Sequence, residues 1–81
     1  MKTLNQMIGE KLKTARENSG LSLRAAGELL GKNHSTIHSY ESGKRAINVD
    51  VMEELCNYYG VSYLELLSEV YYERKLLTDK K

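Results

Sequence analysis

The sequence predicts an all-α fold, a compact bundle of five helices. Three observations carry this. Proline is absent from the 81 residues, so no residue is barred from a helix interior. Apolar residues recur at three- and four-residue spacing along most of the chain, the pattern of a helix with one buried face. Glycines fall between these periodic segments, where helices stop. No alternating strand pattern competes, and there is no repeat, linker or low-complexity stretch.

Each helix has its own signals. The first carries a stripe of Leu4, Ile8, Leu12 and Ala15, opens on Thr3 with Gln6 as a capping box, and ends at Asn18-Ser19-Gly20. The second is capped by Ser22, sets Leu23, Ala26 and Leu30 on one side, and stops at Gly31. Asn33 caps a short third helix, HSTIHSYE, which Ser42-Gly43 ends. A connector, KRAI, leads to a fourth helix capped by Asn48, with Asp50 in the first turn, where negative charge is favoured. Its buried stripe is Val51, Met52, Leu55, Cys56 and Tyr59, closed by Gly60. Ser62 and Glu65 form a second capping box and open a helix that runs to about Leu77.

Composition bounds the function. With 41% hydrophobic and 28% charged residues, the chain suits a single soluble globular domain and not a disordered one. No apolar run approaches the roughly 18 residues of a membrane span, and MKTLNQMIGEK lacks the apolar region of a signal peptide. The lone Cys56 closes no intrachain disulfide and offers no zinc spacing, which points to a reducing, cytosolic setting. Net charge is only +1, but it is unevenly spread. Residues 1–45 hold 8 Lys/Arg against 4 Asp/Glu, whereas residues 46–81 hold 4 against 7. A basic half suggests a localised anion-binding face.

The third helix shows where that face lies. At 100° per residue from His34, His38, Ser35 and Ser39 fall at about 40°, 100° and 140°, while Tyr40 and Ile37 fall near 240° and 300°. The helix thus buries Ile37 and Tyr40 and turns outward a row of short hydrogen-bonding side chains without a carboxylate. Such a row can donate and accept at base edges or phosphates without repelling them. A preceding helix joined by the tight Gly31-Lys32-Asn33 turn gives the layout of a helix-turn-helix. His34 and His38 lack a third ligand nearby, so no metal site is expected. No phosphate loop or nucleophile with a base and orienter is present either, so neither an enzyme nor a cofactor is expected.

With these residues in place, residues 8–67 resemble the Cro/CI (XRE-like) helix-turn-helix family of bacterial and phage regulators. The marks are Arg16, Gly20-Leu21-Ser22, Gly31, Ser35-Thr36-Ile37, Tyr40-Glu41-Ser42-Gly43-Lys44-Arg45 and Gly60-Val61-Ser62. The resemblance implies a lambda-repressor-like domain over residues 1–67 that binds double-stranded DNA in the cytoplasm of a bacterium. It implies base contacts from His34, Ser35 and Ser39, with Thr36 and His38 at the groove edge. It implies phosphate contacts from Ser22, Ser42, Lys44 and Arg45, with Arg24 and Lys32 counted beside them. Arg16 and Glu41 match a partly buried ion pair that pins the first helix to the third. Leu23 stands where many relatives have a glutamine that touches phosphate.

The last helix continues past this domain as residues 68–81. Tyr63, Leu67, Val70, Tyr71 and Leu77 are expected to form a dimer interface, with Val70, Tyr71 and Leu77 lying beyond any core that the first four helices offer. The resulting expectation is a transcriptional repressor acting as a homodimer on a palindromic operator. The alternative is an antitoxin-type or controller protein whose C-terminal half binds a protein partner while its DNA-binding half regulates its own operon. No ligand-binding domain is expected.

Overall fold

A computed structural model describes residues 1–79, the side chains of 78 and 79 excepted; the last two residues of the expected 68–81 extension lie outside the described residues. The elements are α1 (Leu4–Asn18), α2 (Leu23–Leu30), α3 (His34–Ser42), α4 (Val49–Tyr59) and α5 (Tyr63–Asp79). No strand occurs among the described residues.

The helix starts follow from local side-chain chemistry. Thr3 Oγ1 accepts from the Gln6 amide at 3.1 Å, and Gln6 Oε1 accepts from the Thr3 amide at 2.8 Å, which satisfies two otherwise orphaned donors. Ser22, Asn33 and Asn48 cap α2, α3 and α4 with their side-chain oxygens, which accept from the amides of Ala25, Ser35 and Val51. Ser62 Oγ accepts from the Glu65 amide at 3.2 Å at the start of α5. Gly31, Gly43 and Gly60 end the three middle helices at φ between 70° and 79°, the left-handed conformation that a side chain resists.

Met7, Leu12, Ile37, Leu55, Cys56 and Val70 are the largest fully buried side chains. On α1 the expected stripe holds at Leu12 and Ala15, with Ile8 half-buried against the core, and departs from expectation at its start. Leu4 is exposed, and Met7 takes its place beside Leu12 and Ala15. Leu4 is the first residue of α1, whereas Met7 lies one turn further into a helix that packs against α3, α4 and α5. At Gly9 the backbones of α1 and α3 touch, because a Cβ there would collide with the carbonyl oxygens of Tyr40 and Glu41.

Helix α5 runs back along α1. Its first turn faces Ala15 and Asn18, and its Glu73 pairs with Lys11 at 3.4 Å. This corrects the placement of Val70 beyond the core. Val70 is 2% exposed and packs in the same cluster as Leu12 and Leu66. A helix that lies against α1, instead of projecting from the bundle, still meets core one turn after Leu66. Tyr63 and Leu67 are half-buried against that core, whereas Tyr71 and Leu77 are exposed.

Candidate nucleic-acid interface

The geometry of the α2–α3 corner begins with glycine. Gly31 lets the chain turn left-handed, so that the Lys32 amide donates back to the Gly27 carbonyl at 2.8 Å. Gly27 itself is buried, and a Cβ on it would stand 2.7 Å from the Lys32 carbonyl oxygen and 3.3 Å from the His34 nitrogen. The start of α3 is therefore pressed against α2 with no side chain between them. Asn33 then fixes the first turn, its Oδ1 accepting from the Ser35 amide at 3.0 Å and from the Ser35 hydroxyl at 3.2 Å.

Helix α3 buries Ile37, Tyr40 and Glu41. Its other side is open. His34, Ser35 and His38 are exposed, and Thr36 and Ser39 are half-buried at its margins. The face carries no carboxylate, because the one acid on the helix is turned inward. At the C-terminal end, the half-buried Ser42 donates its hydroxyl to the Ser39 carbonyl at 3.2 Å, and the Arg45 amide donates to the same oxygen at 3.2 Å. This folds the connector back and sets Lys44 and Arg45, both exposed, beside the end of α3. Ser22, Arg24 and Lys32 are exposed on α2 and its turns. Among the described residues, none of Arg24, Lys32, Lys44 and Arg45 is held in an ion pair. The corner thus offers cations flanking a row of small donors and acceptors.

Arg16 and Glu41 sit behind this face. Arg16 Nε donates to Glu41 Oε2 at 2.7 Å and Nη2 to Oε1 at 3.1 Å, a two-pronged contact between side chains only 8% and 4% exposed. Nη1 donates to the Leu21 carbonyl at 2.8 Å, in the loop before α2. One guanidinium therefore joins α1, the α1–α2 loop and α3. Its hydrogen bond to Glu41 raises the Arg16 pKa further above its ordinary value, against the opposing effect of burial. The Leu21 contact carries no sequence signal, since any residue has a carbonyl. Gly9 and Gly27 did carry one: a glycine inside a helical pattern marks a close approach.

At the far end of α3, the α1 N-terminus closes the frame. A Cβ on Gly43 would stand 2.6 Å from Gln6 Cγ and 2.8 Å from Gln6 Cα, so the end of α3 abuts the first turn of α1. No group of three His, Cys, Asp or Glu that could hold a metal occurs among the described residues.

Comparison with known proteins places this arrangement. Residues 8–69 match the model of the helix-turn-helix domain family. The HTH-type transcriptional regulator PuuR of Escherichia coli is 38% identical over 61 residues, which cover 75% of this chain. The chain spans about a third of that relative's length, 33%. The DNA-binding domain of BldD from S. venezulae superposes with a TM-score of 0.67 at 36% identity, over 76% of this chain and 93% of that one. The clp gene regulator ClgR of Corynebacterium glutamicum superposes with a TM-score of 0.84 at 20% identity, over 98% of this chain and 84% of that one, which shows a shared fold. On the family match and the corner it spans, the chain belongs to the helix-turn-helix domain family, in its Cro/CI (XRE-like) branch.

Proposed function

We propose that the chain binds double-stranded DNA sequence-specifically and regulates transcription in the bacterial cytoplasm, as a repressor that sits on a two-fold symmetric operator as a homodimer. The observation that carries this reading is the outward face of α3. It is convex, free of carboxylate, lined by His34, Ser35 and His38, and flanked by Lys44 and Arg45. A helix of this kind fits the major groove with its first turns against base edges and its basic end against phosphate. The name of PuuR and the description of the BldD fragment support the same reading.

In this arrangement His34, Ser35 and Ser39 read bases, with Thr36 and His38 at the edge of the groove. Ser22, Arg24, Lys32, Ser42, Lys44 and Arg45 hold the backbone. The test is selection of DNA by the purified chain from a random duplex pool, followed by titration of the enriched site at several salt concentrations. A single enriched motif is expected. Ser35→Ala should relax preference at one base position, at a cost of about 1–3 kcal/mol. Lys44→Ala should weaken all sequences alike and lower the salt slope by about one. A pool that stays random, or a motif altered by Lys44→Ala and untouched by Ser35→Ala, overturns the assignment. Transcription from a promoter overlapping the enriched site should fall on adding the chain; a rise overturns the repressor reading alone.

A further inference from the structure

The sequence holds two histidines, and both stand on the outward face of α3. His34 opens the helix and His38 follows one turn later, each exposed. At 100° per residue they lie about 40° apart, so the two imidazoles share one side of the helix. Histidine is the side chain whose charge ordinarily changes between about pH 5 and 8. The face set against DNA therefore carries two charges that a small change of pH adds or removes.

The surrounding groups leave that change to the DNA. Helices α1 and α2 pack against α3. On α1, Glu10 pairs with Lys2, Lys11 with Glu73 of α5, and Arg16 with Glu41, the one acid of α3 itself. Lys13 and Glu17 are exposed on α1. On α2 and its turn, Arg24, Glu28 and Lys32 are exposed, as are Lys44 and Arg45 in the connector. Among the described residues no carboxylate, that of Glu28 included, lies within ion-pair distance of His34 or His38. Four cations against one acid oppose further positive charge at this corner while the chain is free. Two imidazoliums one turn apart also repel each other. Duplex DNA reverses the balance. Its phosphates line both walls of the major groove, neutralise the cations and favour the imidazolium form. A charged imidazole donates from both nitrogens, which suits phosphate oxygens and the N7 and O6 acceptors of guanine.

We propose that DNA binding takes up protons at His34 and His38, so that the chain holds its operator more tightly as the surroundings acidify and releases it as pH rises. The proposal rests on the DNA-binding reading and adds a regulatory input to it. The bound state carries more protons than the free one, so affinity rises as pH falls, with a slope equal to the number of protons taken up. The other groups of this range do not blur the effect. The Cys56 thiol is buried and pushed up by that burial. The Met1 amine is common to every chain compared.

The experiment is fluorescence anisotropy of a labelled duplex carrying the enriched site, titrated with the full chain between about pH 6 and pH 8 at fixed ionic strength. Wild-type affinity should rise by about tenfold or more from the alkaline to the acid end. His34→Gln/His38→Gln should lose most of this slope, and each single variant part of it. Helicity and melting temperature should hold, because both side chains are exposed. His34→Lys/His38→Lys, whose charge is fixed in this range, should also give a flat profile. Calorimetry of the same titration in two buffers of different ionisation enthalpy reads the protons directly: about one to two for wild type at neutral pH and close to none for the glutamine pair. A flat wild-type profile, or an equal slope in the glutamine chain, overturns the proposal. So does affinity that rises with pH, which would mean neutral imidazoles accepting from base amino groups. Binding to the enriched site that ignores pH sinks this proposal alone. A wild type that binds no duplex at any pH sinks the DNA reading and this proposal with it.

Discussion

The guanidinium of Arg16 uses all three of its nitrogens inside the protein, two on Glu41 and one on the Leu21 carbonyl. Desolvation offsets much of the attraction in such a pair, so the pair adds little beyond apolar packing of equal volume. Breaking it is different, because it leaves one charge buried alone. Arg16→Ala or Glu41→Ala should cost up to about 3–5 kcal/mol, read as a fall in melting temperature. A double substitution to apolar residues of similar volume should regain part of the loss, and the double-mutant cycle should show strong coupling. The neighbouring Tyr59 has a buried hydroxyl with no hydrogen-bond partner in the protein. Burial, reinforced by the charge of Glu41, pushes its pKa up to about 12 from 10.0. The folded state therefore holds this proton more tightly than the unfolded chain. Its stabilising effect is complete below about pH 10 and is lost as the pH climbs toward 12, by about 2–3 kcal/mol in all. Tyr59→Phe should flatten this part of the alkaline unfolding curve. At neutral pH the same change should be neutral or stabilise by about 1 kcal/mol, because it removes a polar group that burial penalises and breaks no bond.

At the scale of elements, glycine sets how the helices meet. Gly9→Ala should push α1 off α3, at a cost of about 1–3 kcal/mol or more, since the obstacle is backbone and cannot rotate away. Thermal melts of that variant beside an exposed-site control such as Lys13→Ala measure it. The helices themselves were legible in the sequence. Thr3, Ser22, Asn33, Asn48 and Ser62 act on amides two or three residues away, so their capping role needs no knowledge of the fold. The outward face of α3 was legible for a related reason: Ile37 and Tyr40 fix which side is buried, and the rest follows from 3.6 residues per turn. Helix α5 was not legible in this way. Its residues are apolar on two sides, so periodicity cannot choose between them. The choice is made by the direction in which α5 leaves the Gly60 turn, which is a property of the assembled bundle. Leu4 belongs to the apolar stripe of α1 by spacing but stands at its first residue and is exposed, which periodicity alone does not tell.

For the whole molecule, the position of Val70 changes what truncation does. Removing residues after Ser68 takes away a fully buried side chain and the Lys11–Glu73 link between α1 and α5. Losing a buried valine and its neighbours should cost several kcal/mol, about 2 or more from the apolar surface alone. The truncated chain should melt well below the full one, whereas Leu64→Glu, at a side chain 69% exposed, should not. Cys56 offers a way to follow such differences without heating or denaturant. It is the one cysteine of the sequence, lies 0% exposed in the centre of the bundle, and has a thiol pKa raised by burial. A disulfide reagent can therefore reach it only when the bundle opens. With excess reagent at fixed pH, the labelling rate becomes a clock that ticks once per opening or reports the open fraction, depending on how fast the bundle recloses. Arg16→Ala should make that clock run fast and Leu64→Glu should leave it alone, in the same buffer in which operator binding is measured.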